Sequence, residues 1–168
     1  MRDWYFCRCR LTIAIGLCCI AASAAAQEAN VPANRSNWRV ECANSGKALD
    51  CRAYVNIVER NTHQTITSLI VRYSAETRKP VLMVQVPLGI LVSEPVSLQV
   101  DDGKPENTRV QTCTKAGCFA GEPVPDDMIA AMHGGKQFKV VFYNIKKQPV
   151  TVTIPLAGFA LAYDKIKG

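Results

Sequence analysis

The sequence lacks the short motifs that identify the common enzyme classes. It contains no G-x-S-x-G nucleophile motif, no H-E-x-x-H zinc motif, no phosphate-cradling glycine loop and no dinucleotide-binding fingerprint. The only two histidines, His63 and His133, lie in a polar turn and at the end of a predicted helix, where a cation suits the helix dipole. These absences predict a protein that is not an enzyme and that holds no cofactor and no metal ion.

The chain also lacks the strong basic charge of a nucleic-acid-binding protein. Its formal net charge is +6, and basic pairs such as Arg78-Lys79 and Lys146-Lys147 are isolated from one another in the sequence. Such pairs are typical of solvated turns, whereas nucleic-acid binding needs a clustered basic face. We therefore expect no nucleic-acid partner, and a mild positive surplus that favours solubility and attraction to anionic surfaces.

No apolar run reaches about 20 residues, the length that a transmembrane helix needs. A shorter run, residues 11–22, follows three arginines and precedes Ala24 and Ala26, which occupy the small-residue positions of a signal-peptidase site. We therefore predict that residues 1–26 are a signal peptide cleaved between Ala26 and Gln27, with a retained N-terminal anchor as the alternative. The predicted protein is periplasmic or secreted, or bound at the outer surface, and contacts a membrane only through the signal segment or peripherally.

The rest of the chain is expected to form one domain. Residues 27–37 are polar and predict a flexible leader. Residues 38–168 are enough for a single domain with its own hydrophobic core. After removal of the signal peptide, four of the eight cysteines remain, namely Cys42, Cys51, Cys113 and Cys118.

An even number of cysteines in an oxidising compartment predicts disulfide bonds. A zinc site would need closely paired cysteines with histidines nearby, and a thioredoxin-type site would need C-x2-C at the start of a helix. The cysteines instead flank turn-rich segments of eight and four residues between predicted strands, where facing residues of a hairpin lie within disulfide range. A long-range pairing would give more chain-entropy stabilisation, but locality favours Cys42–Cys51 and Cys113–Cys118.

Alternating apolar and polar residues predict β-strands through most of the domain. The alternation is clearest in residues 53–57, 96–101, 138–143 and 150–154. Residues 81–86 form a nearly continuous apolar run, which predicts a more central strand, and residues 66–73 are a further candidate. Since the alternation of strands with helices that marks a parallel sheet is absent, we predict an all-β, antiparallel two-sheet sandwich.

One short helix is predicted between Pro125 and the pair Gly134-Gly135, with Met128, Ile129 and Met132 on its buried side. The adjacent acids Asp126 and Asp127 are explained as capping residues of this helix. The other acidic pair, Asp101-Asp102, continues a predicted strand. Neighbouring strand residues point to opposite faces, so we expect these two carboxylates not to share a site.

Several short features follow one another in a characteristic order. They are Trp38 and Cys42, Cys51, V-P-L-G (86–89) with Leu91, V-S-L-Q-V-D (96–101), Cys113 with G-C-x-A (117–120), and L-x-G-F-x-x-A (156–162). This order resembles the invasion-associated locus B family of alphaproteobacterial exported proteins, over residues 38–163. One departure is S-E-P (93–95), where family members commonly carry glycine. That departure casts doubt only on the turn geometry there.

The resemblance implies an immunoglobulin-like β-sandwich that is exported and takes part in host-cell invasion. It carries over no catalytic residues, because the family has no established active site. We therefore expect an exported, non-enzymatic interaction protein whose partner is a protein or a cell surface. Binding is expected at loops such as residues 61–65 and 104–108.

Two alternatives to this function stay open. The first is a periplasmic envelope-maintenance or small-ligand-binding module, with a cleft beside residues 86–89. The second is a thiol-disulfide enzyme that uses Cys113 and Cys118, which would require a reactive, reducible bond.

Overall fold

The computed structural model describes residues 37–44, 46 and 49–167. The predicted signal peptide, its cleavage site between Ala26 and Gln27, and residues 27–36 of the predicted leader lie outside the described residues. They stay predictions. The predicted start of the domain, Trp38, directly precedes the first strand.

Ten strands and two short helices follow one another in the described part of the chain. They are β1 (Arg39–Asn44), β2 (Leu49–Val58), β3 (Thr65–Tyr73), β4 (Pro80–Val86), β5 (Val96–Val100), β6 (Glu106–Thr108), β7 (Val110–Thr114), β8 (Gly117–Pro123), α1 (Asp126–Gly134), β9 (Gln137–Tyr143), β10 (Pro149–Pro155) and α2 (Phe159–Ile166). Each segment that the sequence predicted as a strand is a strand in the structure, and β6 is a strand that the sequence analysis did not predict.

The strands form two antiparallel sheets, which confirms the predicted β-sandwich. The larger sheet has the order β1-β2-β3-β4-β8-β7, and the smaller sheet has the order β10-β9-β5-β6. Every neighbouring pair is antiparallel. The layering is the immunoglobulin-like one that the resemblance implied, with a strand order in which β1 to β4 stay together in one sheet.

The alternation in the sequence places one set of side chains of each strand in a shared core. In β2, Ala53 and Val55 are fully buried on the inner face, whereas Arg52 lies on the outer face and is exposed to solvent. In β4 every second residue is buried, and this strand lies in the middle of the larger sheet, as predicted. The smaller sheet contributes Phe138 and Val140, which are also fully buried. Burial of a valine or phenylalanine side chain among these stabilises the fold by about 1.5–3 kcal/mol.

Helix α1 confirms the predicted helix and its buried side. Met128, Ile129 and Met132 are buried, as expected of methionines that fill a core. The predicted capping role of the aspartates is only partly right, because the N-cap residue is Pro125 and no side chain caps it. The Asp127 carboxylate instead accepts a hydrogen bond from the Met128 backbone N–H at 2.9 Å, within the first turn where negative charge suits the dipole.

The prediction of a single helix is wrong, because α2 is a second one. Its residues Phe159, Ala162, Tyr163 and Ile166 are buried. This spacing has the period of an amphipathic helix, but the segment is short and has no side-chain cap, since the N-cap residue is Gly158 in the left-handed region (φ 87°). The apolar spacing was therefore the only local signal for this helix.

Helix α2 covers the part of the larger sheet that the smaller sheet is too narrow to reach. It contacts β1, β2 and β3, while the smaller sheet has two strands fewer than the larger one. Trp38 fixes this corner: its indole N–H donates to the Pro155 carbonyl at 3.0 Å, and its ring lies edge-on to Phe159 with a centroid distance of 4.9 Å. Without α2, the apolar inner face of β1 to β3 would be exposed to water.

Candidate interaction surface

Four connections between strands lie together at one end of the sandwich. This end, which we call the loop end, comprises residues 58–64, 87–95, 115–116 and 144–148, where the first range includes Val58, the last residue of β2. β2, β4, β7 and β9 all finish here. A β-bridge joins Ile90, on the connection after β4, to Asn144, directly after β9, and the Gln85 side-chain amide donates to the Ala116 carbonyl at 2.6 Å. The bridge holds residues 87–95 beside residues 144–148, and strand direction brings residues 58–64 and 115–116 to the same end.

The backbone of residues 86–89 explains how this surface arises. Pro87 has no backbone N–H, so β4 ends at Val86, as predicted. Gly89 has a φ of 81°, a conformation that favours glycine. The resulting turn leaves Leu88 exposed between the two residues that shape it.

The loop end carries most of the exposed apolar surface of the described domain. Six large hydrophobic side chains are exposed in residues 37–44, 46 and 49–167, and four of them lie here. Their exposed fractions are 47% for Val58, 56% for Leu88, 57% for Val92 and 73% for Ile145. Scattered single apolar residues are normal on a protein surface, so the presence of four at one end makes the loop end the candidate contact surface.

The loop end also carries a surplus of positive charge. Arg60, Lys115, Lys146 and Lys147 are all exposed, against the two acidic residues Glu59 and Glu94. Within the part of the chain that the structure describes, none of these four cations pairs with a carboxylate. The three ion pairs there are Arg52–Glu41, Lys104–Glu106 and Lys139–Asp102. The loop end therefore carries both exposed aliphatic side chains and exposed cations.

The structure separates the two loops that the sequence analysis expected to bind a partner. Residues 61–64 belong to the loop end, with Thr65 the first residue of β3. Residues 104–105 lie at the opposite end, and residues 106–108 are β6, an edge strand of the smaller sheet. Only the first of the two predicted loops is therefore part of the loop end.

The expectation that Asp101 and Asp102 point to opposite faces of a strand is wrong. β5 ends at Val100, and Asp101 adopts a left-handed conformation with a φ of 47°, so the strand alternation stops there. Both residues line one open groove of about 560 Å³. The Asp101 carboxylate already accepts hydrogen bonds from the backbone N–H groups of Lys136 (3.1 Å) and Gln137 (2.9 Å), so it anchors the start of β9.

The crevice between the two sheets is too small for a typical ligand. It has a volume of about 80 Å³ and is lined by Leu82, Leu98, Met128 and neighbouring residues, and not by residues 86–89. Small-molecule sites usually measure about 300–1,000 Å³. The cleft that the small-ligand-binding alternative expected beside residues 86–89 is therefore not this crevice.

The cysteines lie where they fasten both edges of the larger sheet. Cys42–Cys51 joins edge strand β1 to β2, and Cys113–Cys118 joins edge strand β7 to β8, each with a Cα–Cα distance of 4.0 Å. This is the pairing that the sequence analysis favoured. Within the second bond, Cys118 is only 3% exposed, whereas its partner Cys113 is exposed to solvent.

The described residues form neither a metal cluster nor a membrane-spanning helix. No group of three or more His, Cys, Asp or Glu side chains is arranged to hold a metal ion in residues 37–44, 46 and 49–167. Among the same residues, no helix has the length and apolar character needed to cross a membrane.

Sequence reasoning did not identify the loop end, because its parts converge only in the folded domain. The local signal was the apolar segment I-L-V directly after P-L-G (87–92), a turn region where polar residues are expected. Ile145 gave a similar signal between polar residues of the β9–β10 turn. Neither signal indicated that the two segments are neighbours.

Comparison with known proteins agrees with this fold. The family model "Invasion associated locus B (IalB) protein" matches residues 38–167. The chain is 25% identical to an invasion protein B homologue of Brucella abortus over 152 residues, which cover 90% of this chain and 87% of the relative. It is 39% identical to invasion protein B of Bartonella bacilliformis over 56 residues, 33% of this chain and 30% of that protein.

A solved structure has the same fold. The crystal structure of invasion associated protein B from Bartonella henselae superposes with a TM-score of 0.69 at 28% sequence identity, over 77% of this chain and 90% of that chain. The relatives are named as invasion proteins and not as enzymes. Since the family model covers nearly the whole described domain, the chain belongs to the invasion-associated locus B family.

Proposed function

We propose that this chain is an exported, non-enzymatic interaction protein that takes part in host-cell invasion and binds its partner through the loop end. The family name supports a role tied to invasion. The observation that carries the proposal is the concentration of exposed apolar side chains and exposed cations at one end of the domain. The two disulfides support export, because such bonds persist in oxidising compartments.

The geometry of the loop end also supports binding rather than catalysis. Its one histidine, His63, is exposed and follows a polar turn, and Glu59 accepts a hydrogen bond from the Thr62 hydroxyl at 2.6 Å. A hydrolytic site would need a nucleophile held by a base, with the base oriented by a third group. The side chains of the loop end instead suit contact with a partner.

The test is a deletion strain that carries one of three plasmid copies of the gene. The first copy is unchanged, and the second has the loop-end substitutions Leu88→Ser, Val92→Ser and Ile145→Ser. The third is a matched control, in which Leu49→Ser and Leu161→Ser remove the two exposed hydrophobic side chains that lie elsewhere. All of these are surface positions, where a substitution usually changes the free energy of unfolding by less than about 0.5 kcal/mol.

We expect the loop-end variant to restore host-cell invasion poorly and the control variant to restore it fully, with equal amounts of folded protein in both strains. Equal invasion by both strains would contradict the proposal. If the deletion strain instead invades normally but becomes sensitive to detergent, the envelope-maintenance alternative replaces it.

A further inference from the structure

We infer that the loop end binds the surface of an anionic phospholipid bilayer. In this arrangement the aliphatic side chains enter the boundary of the hydrocarbon layer and the lysines contact the lipid phosphates. The inference rests on the proposed function, since it assigns a chemical class of partner to the same surface.

The composition of the loop end favours a lipid surface over a protein. The cations of the loop end are three lysines, Lys115, Lys146 and Lys147, and only one arginine, Arg60. Lysine is depleted in protein–protein interfaces, whereas arginine is enriched there. Lysines near an anionic membrane instead add to binding, and exposed aliphatic side chains can enter the boundary of its hydrocarbon layer.

The shape of the surface gives a second reason. Leu88 and Val92 lie on the β4–β5 connection, and Ile145 lies on the β9–β10 turn, so the apolar side chains stand on separate connections. A rigid protein partner would need a matching recess for each connection. A fluid bilayer adapts to such a surface, and transfer of the apolar side chains from water into the bilayer lowers the free energy.

Charge gives a third reason and disfavours a second copy of the chain as the partner. Arg60, Lys115, Lys146 and Lys147 would face one another in a symmetric dimer built on this surface, with only Glu59 and Glu94 as counter-charges. The same cations are attracted to lipid phosphates. Each lysine near an anionic membrane raises the binding constant by about fivefold, and this contribution weakens with salt.

Sedimentation with lipid vesicles tests the inference. The purified exported chain is mixed with large vesicles of phosphatidylcholine alone or of phosphatidylcholine with phosphatidylglycerol, at low and high salt. We expect binding to the anionic vesicles at low salt, weaker binding at high salt, and little binding to phosphatidylcholine alone. No binding to anionic vesicles at low salt would overturn the inference.

Two matched pairs of variants locate the contact. Lys115→Gln, Lys146→Gln and Lys147→Gln together should lower the binding constant by about 100-fold. The control removes as many exposed lysines elsewhere, through Lys79→Gln, Lys165→Gln and Lys167→Gln. The control should lower binding by less than about threefold, because these lysines lie outside the loop end.

The aliphatic triple variant with Leu88→Ser, Val92→Ser and Ile145→Ser should lower binding by about tenfold or more, even where the charge is unchanged. The control with Leu49→Ser and Leu161→Ser should bind as the unchanged chain does. Equal losses in the loop-end and control sets would show non-specific adsorption and overturn the inference.

The vesicle and invasion assays separate the two proposals. If the loop-end variants lose invasion while the unchanged chain ignores anionic vesicles, the surface has a protein or glycan partner, and only the bilayer inference fails. If the variants lose vesicle binding but invade normally, the bilayer inference stands and the proposed role in invasion fails.

Discussion

Replacing Gly117 by alanine should destabilise the domain by about 3 kcal/mol. A Cβ atom at this position would lie 2.6 Å from the Val86 carbonyl oxygen and 3.2 Å from the Gln85 side chain. The φ of 141° is also one that side chains rarely adopt. Relief of the clash would require β8 to move away from β4 where Val86 faces Cys118, next to a disulfide that holds β8 to β7.

Substitutions at two other glycines distinguish the energetic cost of the steric clash from the cost of the backbone conformation. Gly89 also has a positive φ (81°), but nothing lies within 4 Å of a Cβ built there. Alanine at this position should therefore destabilise the domain by only about 1 kcal/mol, the cost of a left-handed backbone for a residue with a Cβ atom. Gly134, the last residue of α1, has open space and no positive φ, so Gly134→Ala is the control without clash or strain and should leave the domain as stable as before or slightly more stable.

Urea unfolding of the oxidised proteins, followed by circular dichroism, measures these differences through the transition midpoint at a constant slope. The expected order of destabilisation is Gly117→Ala, then Gly89→Ala, then Gly134→Ala. If Gly117→Ala costs no more than Gly89→Ala, the close approach of β8 to Val86 does not constrain the fold. The same result would remove our explanation for a glycine at position 117, in the hairpin that residues 113–118 form.

Three further predictions concern the two disulfides and two aromatic residues of helix α2. Removal of either disulfide by double Cys→Ser substitution should cost about 2 to 3 kcal/mol in urea unfolding, and non-reducing peptide mapping should recover only the two hairpin links. Burial, followed by the hydrogen bond to Tyr73 (2.6 Å), raises the pKa of Tyr163. Since the folded state holds this proton more tightly than the unfolded state, stability should fall as the pH rises above about 10, and Tyr163→Phe should lessen that fall. Phe159→Ala should cost about 3–5 kcal/mol and shift the fluorescence of Trp38, because Phe159 is fully buried against that indole; an unchanged spectrum would contradict the packing of α2.

Local pattern was sufficient to predict most of the strands. In strands such as β5 and β9, one face is buried and the other is partly exposed to solvent. Buried and partly exposed residues therefore alternate along the sequence. The hairpin disulfides could be predicted for the same reason, since their partners are close in sequence. β6 was not predicted because three residues are too few to show a period, and its pairing to β5 sets its conformation.

The features that were not predicted depend on tertiary structure. α2 exists because β1 to β3 need a cover, a requirement that follows from the different widths of the two sheets. Likewise, Leu88 and Ile145 belong to one surface only because Ile90 bridges to Asn144. Single-sequence reasoning reports which residues are apolar or charged, whereas strand order decides which of them become neighbours.

The short spacing of the two cysteine pairs has a consequence for how an exported chain would oxidise. The partners are nine and five residues apart, whereas a cross-link between Cys51 and Cys113 would close a loop of about 60 residues. Because the chance of closing a flexible loop falls with about the 3/2 power of its length, each correct pair should meet about 20 to 40 times more often than that wrong pair. Each hairpin can therefore be fixed before the sheets assemble, so that both edge strands already have their partners while the core is still forming.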